Sequence, residues 1–272
     1  MREQIRRPEI ILLHKFDLVL RKLFSMGRLS DDEVRILSRS YCHRIAHDTD
    51  VFAEGDSVED FLFLVQGWAF RYRLLDDGRR QVLNFLVPGD VVGPFAPTAQ
   101  HFVAALTDVA VCRLPRRELA CGTRYCPGLC AAIEALMVTE FDMLAERTVS
   151  LGRRNAKERV AHLLLELFER LKRVELVDGN SFEIPLTQEI IGDAVGLSVV
   201  HVNRTLRVLR EEGLATVGFG RATIHDRTAL IMVASSEDGS HLQREQLTGI
   251  LPFHAGDPRP RAASYVTKAA TQ

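Results

Sequence analysis

The spacing of apolar residues changes period along the chain, and each change marks a different kind of element. After Pro8, Leu12, Phe16, Leu20 and Leu23 recur about one turn apart and predict a helix over Glu9–Met26, ended by Gly27. Ser30-Asp31-Asp32-Glu33 is a capping box that opens a second helix through Leu37. The pattern then shortens to β-like runs: Phe61–Val65, Ala69–Leu74, Gln81–Leu86, Phe102–Thr107 and Ala110–Leu114. Gly55-Asp56 precedes them, and Gly67, Asp76-Asp77-Gly78, Pro88-Gly89-Asp90 and Asp108 separate them. Many short strands with turn residues between them predict an antiparallel barrel or jelly roll.

A helical period returns from about Gly128 to Leu151 with two apolar stripes. Leu129, Ile133, Leu136 and Met143 make one; Met137, Phe141 and Leu144 make the other. A helix apolar on two sides has two partners to bury against. The simplest arrangement sets one stripe on its own barrel and one on the same helix of a second subunit, with Leu129, Ile133, Leu136 and Met143 as the expected dimer contact. Burial of both stripes within one subunit is the alternative. Gly152 is expected to break this helix, and Gly152–Asn155 to form a hinge. Another amphipathic helix, Lys157–Leu171, follows, with Val160, Leu163, Leu164 and Leu167 apolar.

The stretch Ile184–Glu212 carries the clearest functional signal. Thr187 caps a short predicted helix, Gln188–Val195, and only Gly196, Leu197 and Ser198 separate it from the next. Ser198 has the hydroxyl that a helix start favours. The second helix, Val199–Glu212, places Val202, Leu206 and Leu209 on its buried face and Val200, Asn203, Arg204, Arg207 and Arg210 on the other. A surface helical hairpin shares these two helices. The tight turn, the capped second helix and the outward arginines favour a helix-turn-helix that enters a DNA groove. Ala215–Val217 and Ala222–His225, around Gly218-Phe219-Gly220-Arg221, add a hairpin wing whose tip offers Arg221 to a phosphate.

Composition narrows the picture. At 272 residues the chain has room for two domains. Net charge is only -1, and Glu183, Glu189, Asp193, Glu211, Glu212 and Asp226 offset the arginines of the helix-turn-helix region. Positive charge is then local to one face, as suits half of a dimer on DNA. No apolar run reaches the ~18 residues of a membrane helix, and the charged N-terminus is unlike a signal peptide. Five irregularly spaced cysteines do not read as a disulfide framework, and a reducing cytoplasm is expected. An enzyme is not expected. A metal-dependent barrel enzyme needs clustered histidines, and Val51–Arg117 contains only His101.

Several motifs together resemble the Crp/Fnr family of bacterial transcription regulators, over roughly Ser30 to Ala234. They are Phe52-Ala53-Glu54-Gly55-Asp56, Leu64-Val65-Gln66-Gly67, Val87-Pro88-Gly89-Asp90-Val91-Val92-Gly93, Gly152-Arg153-Arg154-Asn155-Ala156-Lys157-Glu158-Arg159 and Leu197–Arg204. The tract from Phe102 to Pro115 looks closer to Fnr than to Crp. The resemblance implies an α+β fold: an N-terminal antiparallel β-barrel of jelly-roll, cyclic-nucleotide-binding-like type, a long dimerisation helix and a C-terminal winged helix-turn-helix. The expected division is 1–29 helical extension, 30–118 barrel sensor, 119–152 dimerisation helix, 153–234 DNA-binding domain and 235–272 disordered tail. The implied partners are double-stranded DNA with a palindromic operator, a second copy of the chain, and RNA polymerase.

No cofactor is expected. Cyclic-nucleotide-binding members carry a glutamate and an arginine in the ligand cassette, whereas here Gly93 is followed by Pro94, and the later position reads Gln100-His101-Phe102-Val103. Oxygen-sensing Fnr proteins hold a cluster with three N-terminal cysteines and one in the barrel. Cys112 matches the barrel position, but no cysteine precedes Cys42. Cys112, Cys121, Cys126 and Cys130 are either a redox group or buried small hydrophobes. No haem motif is visible.

The family's three base-reading positions fall on Val200, Asn203 and Arg204. Arg204 matches a guanine-reading arginine. Val200 stands where most members carry glutamate; it can pack on a thymine methyl but cannot accept from cytosine. The expected DNA-binding set is Thr187, Gln188, Ser198, Val199, Val200, His201, Asn203, Arg204, Arg207 and Arg221.

Overall fold

The computed structural model describes residues 7–38, 40–93, 96–116 and 126–235. The tail expected to be disordered, from 236 on, and Cys121 lie outside the described residues. Helices α1 (Arg7–Met26) and α2 (Asp31–Ser38) come first. Eight strands follow: β1 (Tyr41–Ile45), β2 (Asp50–Phe52), β3 (Asp60–Gln66), β4 (Ala69–Leu74), β5 (Arg80–Leu86), β6 (Val91–Gly93), β7 (Phe102–Ala105) and β8 (Val109–Pro115). They form two antiparallel four-stranded sheets, ordered β1-β8-β3-β6 and β2-β7-β4-β5. This is the jelly roll; the two sheets do not join into a closed barrel. Strands β2 and β6 escape the sequence pattern because they are only three residues long, and β1 because it is an edge strand without a continuous apolar run, leaving Tyr41 and Arg44 exposed.

Each sheet is covered on both faces, which explains apolar runs such as Phe61-Leu62-Phe63-Leu64-Val65. Leu62 and Leu64 point between the sheets with Phe52, Val103 and Val111. Phe63 and Val65 point outward against Val19, Leu23, Leu129 and Ile133. The outer face of the second sheet, with Trp68, Phe70 and Phe85, packs on the C-terminal half of the chain.

Helix α3 (Pro127–Arg153) is the long helix. Cys126 gives its start no side-chain cap. Glu33 supplies one instead: one carboxylate oxygen accepts from Ser30 N–H, the other from Leu129 N–H at 2.8 Å. The assignment of stripes is corrected here. Leu129, Ile133 and Leu136 are buried inside their own protomer, and Met143 is half-buried. Met137, Phe141 and Leu144 are left exposed, Phe141 at 71%. Both stripes obey helical spacing, so the period cannot rank them; the position of the sheet does.

Gly152 does not break α3, which runs to Arg153. The chain turns at Arg154, in an extended conformation, and Asn155 caps α4 (Ala156–Arg173) in a capping box with Glu158. Helix α4 lacks the polar face expected of it: His162, Glu166 and Arg170 are buried along with its leucines. Strands β9 (Val177–Asp178) and β10 (Ser181–Glu183) precede α5 (Gln188–Val195) and α6 (Val199–Glu211). Strands β11 (Ala215–Gly218) and β12 (Arg221–Ile224) follow, then α7 (Arg227–Ala234). The small sheet runs β11-β12-β10-β9.

Candidate nucleic-acid interface

The turn between α5 and α6 is set by two glycines. Gly196 ends α5 in the left-handed region at φ 66°, where a side chain is disfavoured. A Cβ on Gly192 would stand 2.5 Å from the Leu197 carbonyl oxygen. That closeness permits the Leu197 N–H to Gly192 carbonyl bond at 3.0 Å. Gly192 was not singled out in the sequence; its place on the turn side of α5 is the signal. Thr187 and Ser198 cap as expected, accepting from Ile190 N–H and His201 N–H.

Helix α6 buries Val202 and Leu209, half-buries Leu206 and also buries Thr205, whose hydroxyl donates to the His201 carbonyl. The opposite face is open: Val200 is 80% exposed, and His201, Asn203, Arg204 and Arg207 are exposed beside it. Their chemistry differs. Asn203 donates to Gln188 at 3.2 Å, which ties the two helices at the surface. Arg207 is paired with Glu211 at 2.7 Å. Arg204 has no hydrogen-bonded or ionic partner among the described residues, so its five donors are available to a ligand. At the wing the expectation is corrected: Phe219 and Gly220 form the tip, and Phe219 is fully exposed. Arg221 lies back on β12 and pairs with Asp178 at 3.0 Å, because β10 brings the β9 turn alongside. Three of the six acids that offset the charge are engaged elsewhere, Asp193 with Arg80, Glu212 with Lys157, and Asp226 as the cap of α7.

Sequence reasoning missed how this reading head is held to the jelly roll. Asp193 on α5 accepts from Arg80 on β5, and its carbonyl accepts from Gln81. Beneath lies a buried ionic chain. Lys22 on α1 and Arg170 on α4 both bind Asp90, in the turn before β6; Arg170 also binds Glu166, and Glu166 binds Arg147 on α3. Burial would raise the Asp90 pKa, but Arg170 and Lys22 overcome it and hold the carboxyl at about 2. Glu166 is likewise about 2, with burial overcome by Arg147 and Arg170. The Pro88-Gly89-Asp90 turn was legible; that its aspartate reaches α4 was not.

Two family descriptions match this chain, the cyclic nucleotide-binding domain over residues 43–120 and the Crp-like helix-turn-helix domain over residues 158–233. The nitrogen fixation regulation protein FixK of Bradyrhizobium diazoefficiens is 30% identical over 187 residues, covering 68% of this chain and 78% of that one. The chain belongs to the Crp/Fnr family. It is a DNA-binding transcription regulator of that type. The transcriptional activator protein FnrL of Cereibacter sphaeroides is 27% identical over 84% of this chain and 94% of its own. Among solved structures, FixK2 from Bradyrhizobium japonicum superposes with a TM-score of 0.64 at 27% identity, covering 70% of this chain and 95% of that one. No enzyme family is among these matches.

Among the described residues of the effector region, the arginines Arg71 and Arg73 are already engaged and do not offer themselves to a cyclic phosphate. The cyclic phosphate needs a charged fork or a nest of backbone amides. Arg71, which is buried, is engaged by the carbonyls of Val91 and Val92 and by Glu140 of α3. Arg73 is taken by the Gln100 carbonyl and Glu54. His101 is driven to a pKa of about 4 by burial, with Arg71 and Arg73 adding to it, and is neutral at pH 7. The expected redox set of Cys112, Cys121, Cys126 and Cys130 omits Cys42. Cys112 is joined to Cys42, its direct partner across β1 and β8. Cys126 and Cys130 lie at the start of α3, Cys126 buried.

Proposed function

We propose that this regulator reads a palindromic operator as a homodimer, without a cyclic nucleotide or an iron–sulfur cluster, and acts with RNA polymerase from the cytoplasm. The observation that carries the reading is Arg204: an exposed guanidinium, unpaired among the described residues, on a capped helix beyond a tight turn. The Met137, Phe141 and Leu144 stripe supports the dimer, since an apolar row on a long helix beside a helix-turn-helix is suited to a two-fold partner. FnrL is named a transcriptional activator, and activation of transcription works through RNA polymerase, which supports that partner. Among the described residues no helix is long and apolar enough to cross a membrane. The experiment is selection of sites from a random duplex pool with purified protein and no added ligand. A two-fold palindrome is expected. Arg204→Ala should keep weak, salt-sensitive binding and lose the discrimination of ~1–3 kcal/mol that a bidentate guanine contact gives. Unchanged selectivity in that variant refutes the assignment.

The Cys42–Cys112 bond favours a second reading, in which redox state sets DNA affinity. Cys42 is half-buried on the edge strand β1, and Cys112 reaches the apolar cluster that seats α3. Operator affinity compared between oxidised and dithiothreitol-reduced protein tests it. Equal affinity, matched by Cys42→Ser, removes this reading.

A further inference from the structure

The row of α3 that faces the jelly roll runs Leu129, Ile133, Leu136 and then Glu140. A carboxylate at the fourth position is costly to bury unless a cation meets it. Arg71 does so from β4, and the same Glu140 oxygen accepts from Asn84 of β5 at 3.0 Å. The side chains of Arg71 and Glu140 are 6% and 10% exposed. Packing alone does not call for this pair, because buried ion pairs replaced by apolar residues of similar volume are often as stable. What the pair supplies is a specific tie between the jelly roll and the helix. Arg71 is fixed on its other side by the carbonyls of Val91 and Val92, so it is pre-organised for an anion.

We propose that Arg71 and Asn84 form a carboxylate-binding site between jelly roll and long helix, filled in this protein by its own Glu140, and that this bridge sets operator affinity. The part concerning DNA rests on the regulator reading above; the part concerning the site does not. The test uses the full chain as wild type, Glu140→Ala, and Arg71→Met/Glu140→Ala, with sodium acetate compared to sodium chloride at equal ionic strength. Thermal unfolding reads the site. Acetate is expected to raise the melting temperature of Glu140→Ala well beyond chloride, and to leave the wild type and the double variant unmoved. Operator binding reads the bridge. Glu140→Ala should lose about tenfold, within the usual range of coupling between sites, and recover in acetate. Glu140→Gln keeps the shape of the side chain and should show no recovery, because the amide still fills the site.

No acetate stabilisation of Glu140→Ala, or equal stabilisation without Arg71, overturns the site. Wild-type operator affinity in Glu140→Ala, whatever the salt, overturns the bridge. If Glu140→Ala folds only in acetate, the site is supported; if it folds in neither salt while Glu140→Gln folds, acetate does not replace the carboxylate and the proposal fails. Should the wild type select no operator at all, the regulator reading fails, and the melting temperatures still decide the site.

Discussion

Replacing Asp90 by asparagine tests the ionic chain that joins the jelly roll, the long helix and the DNA-binding half. The Asp90 side chain is fully buried and accepts from Arg170 at 2.5 Å, from Lys22 and from the Val87 N–H at 2.7 Å. Asparagine leaves Arg170 and Lys22 without that counter-charge. Removing one member of a buried pair typically costs ~3–5 kcal/mol. Arg170 keeps Glu166 at 2.9 Å, and Lys22 is 19% exposed, so the low end applies. A second route agrees. The carboxyl falls from 3.8 to about 2, which at ~1.4 kcal/mol per unit is worth about 2 kcal/mol. Because the folded pKa is depressed, this stability is fully present above the unfolded value of 3.8 and is lost as pH falls through about 2.

Urea unfolding can be followed by the single tryptophan, Trp68, which is buried in the cluster shared by the second sheet and the C-terminal half. At pH 7 the Asp90→Asn variant should be less stable by about 2–3 kcal/mol. As pH drops from 4 towards 2 the two proteins should converge. A variant within ~0.5 kcal/mol of wild type at pH 7, the range of an ordinary surface change, refutes the reasoning. So does a gap that does not narrow in acid.

Three further outcomes are expected. Gly192→Val should cost at least ~1–3 kcal/mol by overpacking against the Leu197 carbonyl and weaken operator binding with it, read by melting temperature and fluorescence anisotropy. Phe141→Lys should shift the protein towards monomer in light scattering, whereas Met143→Lys should do so much less if the exposed stripe is the interface. Val200→Glu gains an acceptor for cytosine N4, so selection should show a changed base at that half-site position; an unchanged sequence means that Val200 faces no base.

Much of the reading head was legible in the sequence. Thr187, Ser198 and Gly196 are local signals, because caps and left-handed turns depend on a few neighbouring atoms. The outward faces of Val200, Asn203 and Arg204 follow from helical period once Val202 and Leu209 are taken as buried. Period could not say which stripe of α3 meets the jelly roll, since Leu129–Ile133–Leu136 and Met137–Phe141–Leu144 have equal claims. That choice was made by where the first sheet and α1 stand. Arg221 was read correctly as part of the wing but not as the partner of Asp178, which approaches through β10.

The sequence by itself determined the order of elements, the jelly roll followed by a helix-turn-helix, and the candidate base-reading face, because periodicity, turn chemistry and capping act over a few residues. Only the tertiary structure decided the partners of Asp90, Glu140, Asp193 and Cys112. Each meets its partner from a distant part of the chain, and which charge or thiol it meets depends on how sheets and helices pack, not on spacing along the chain.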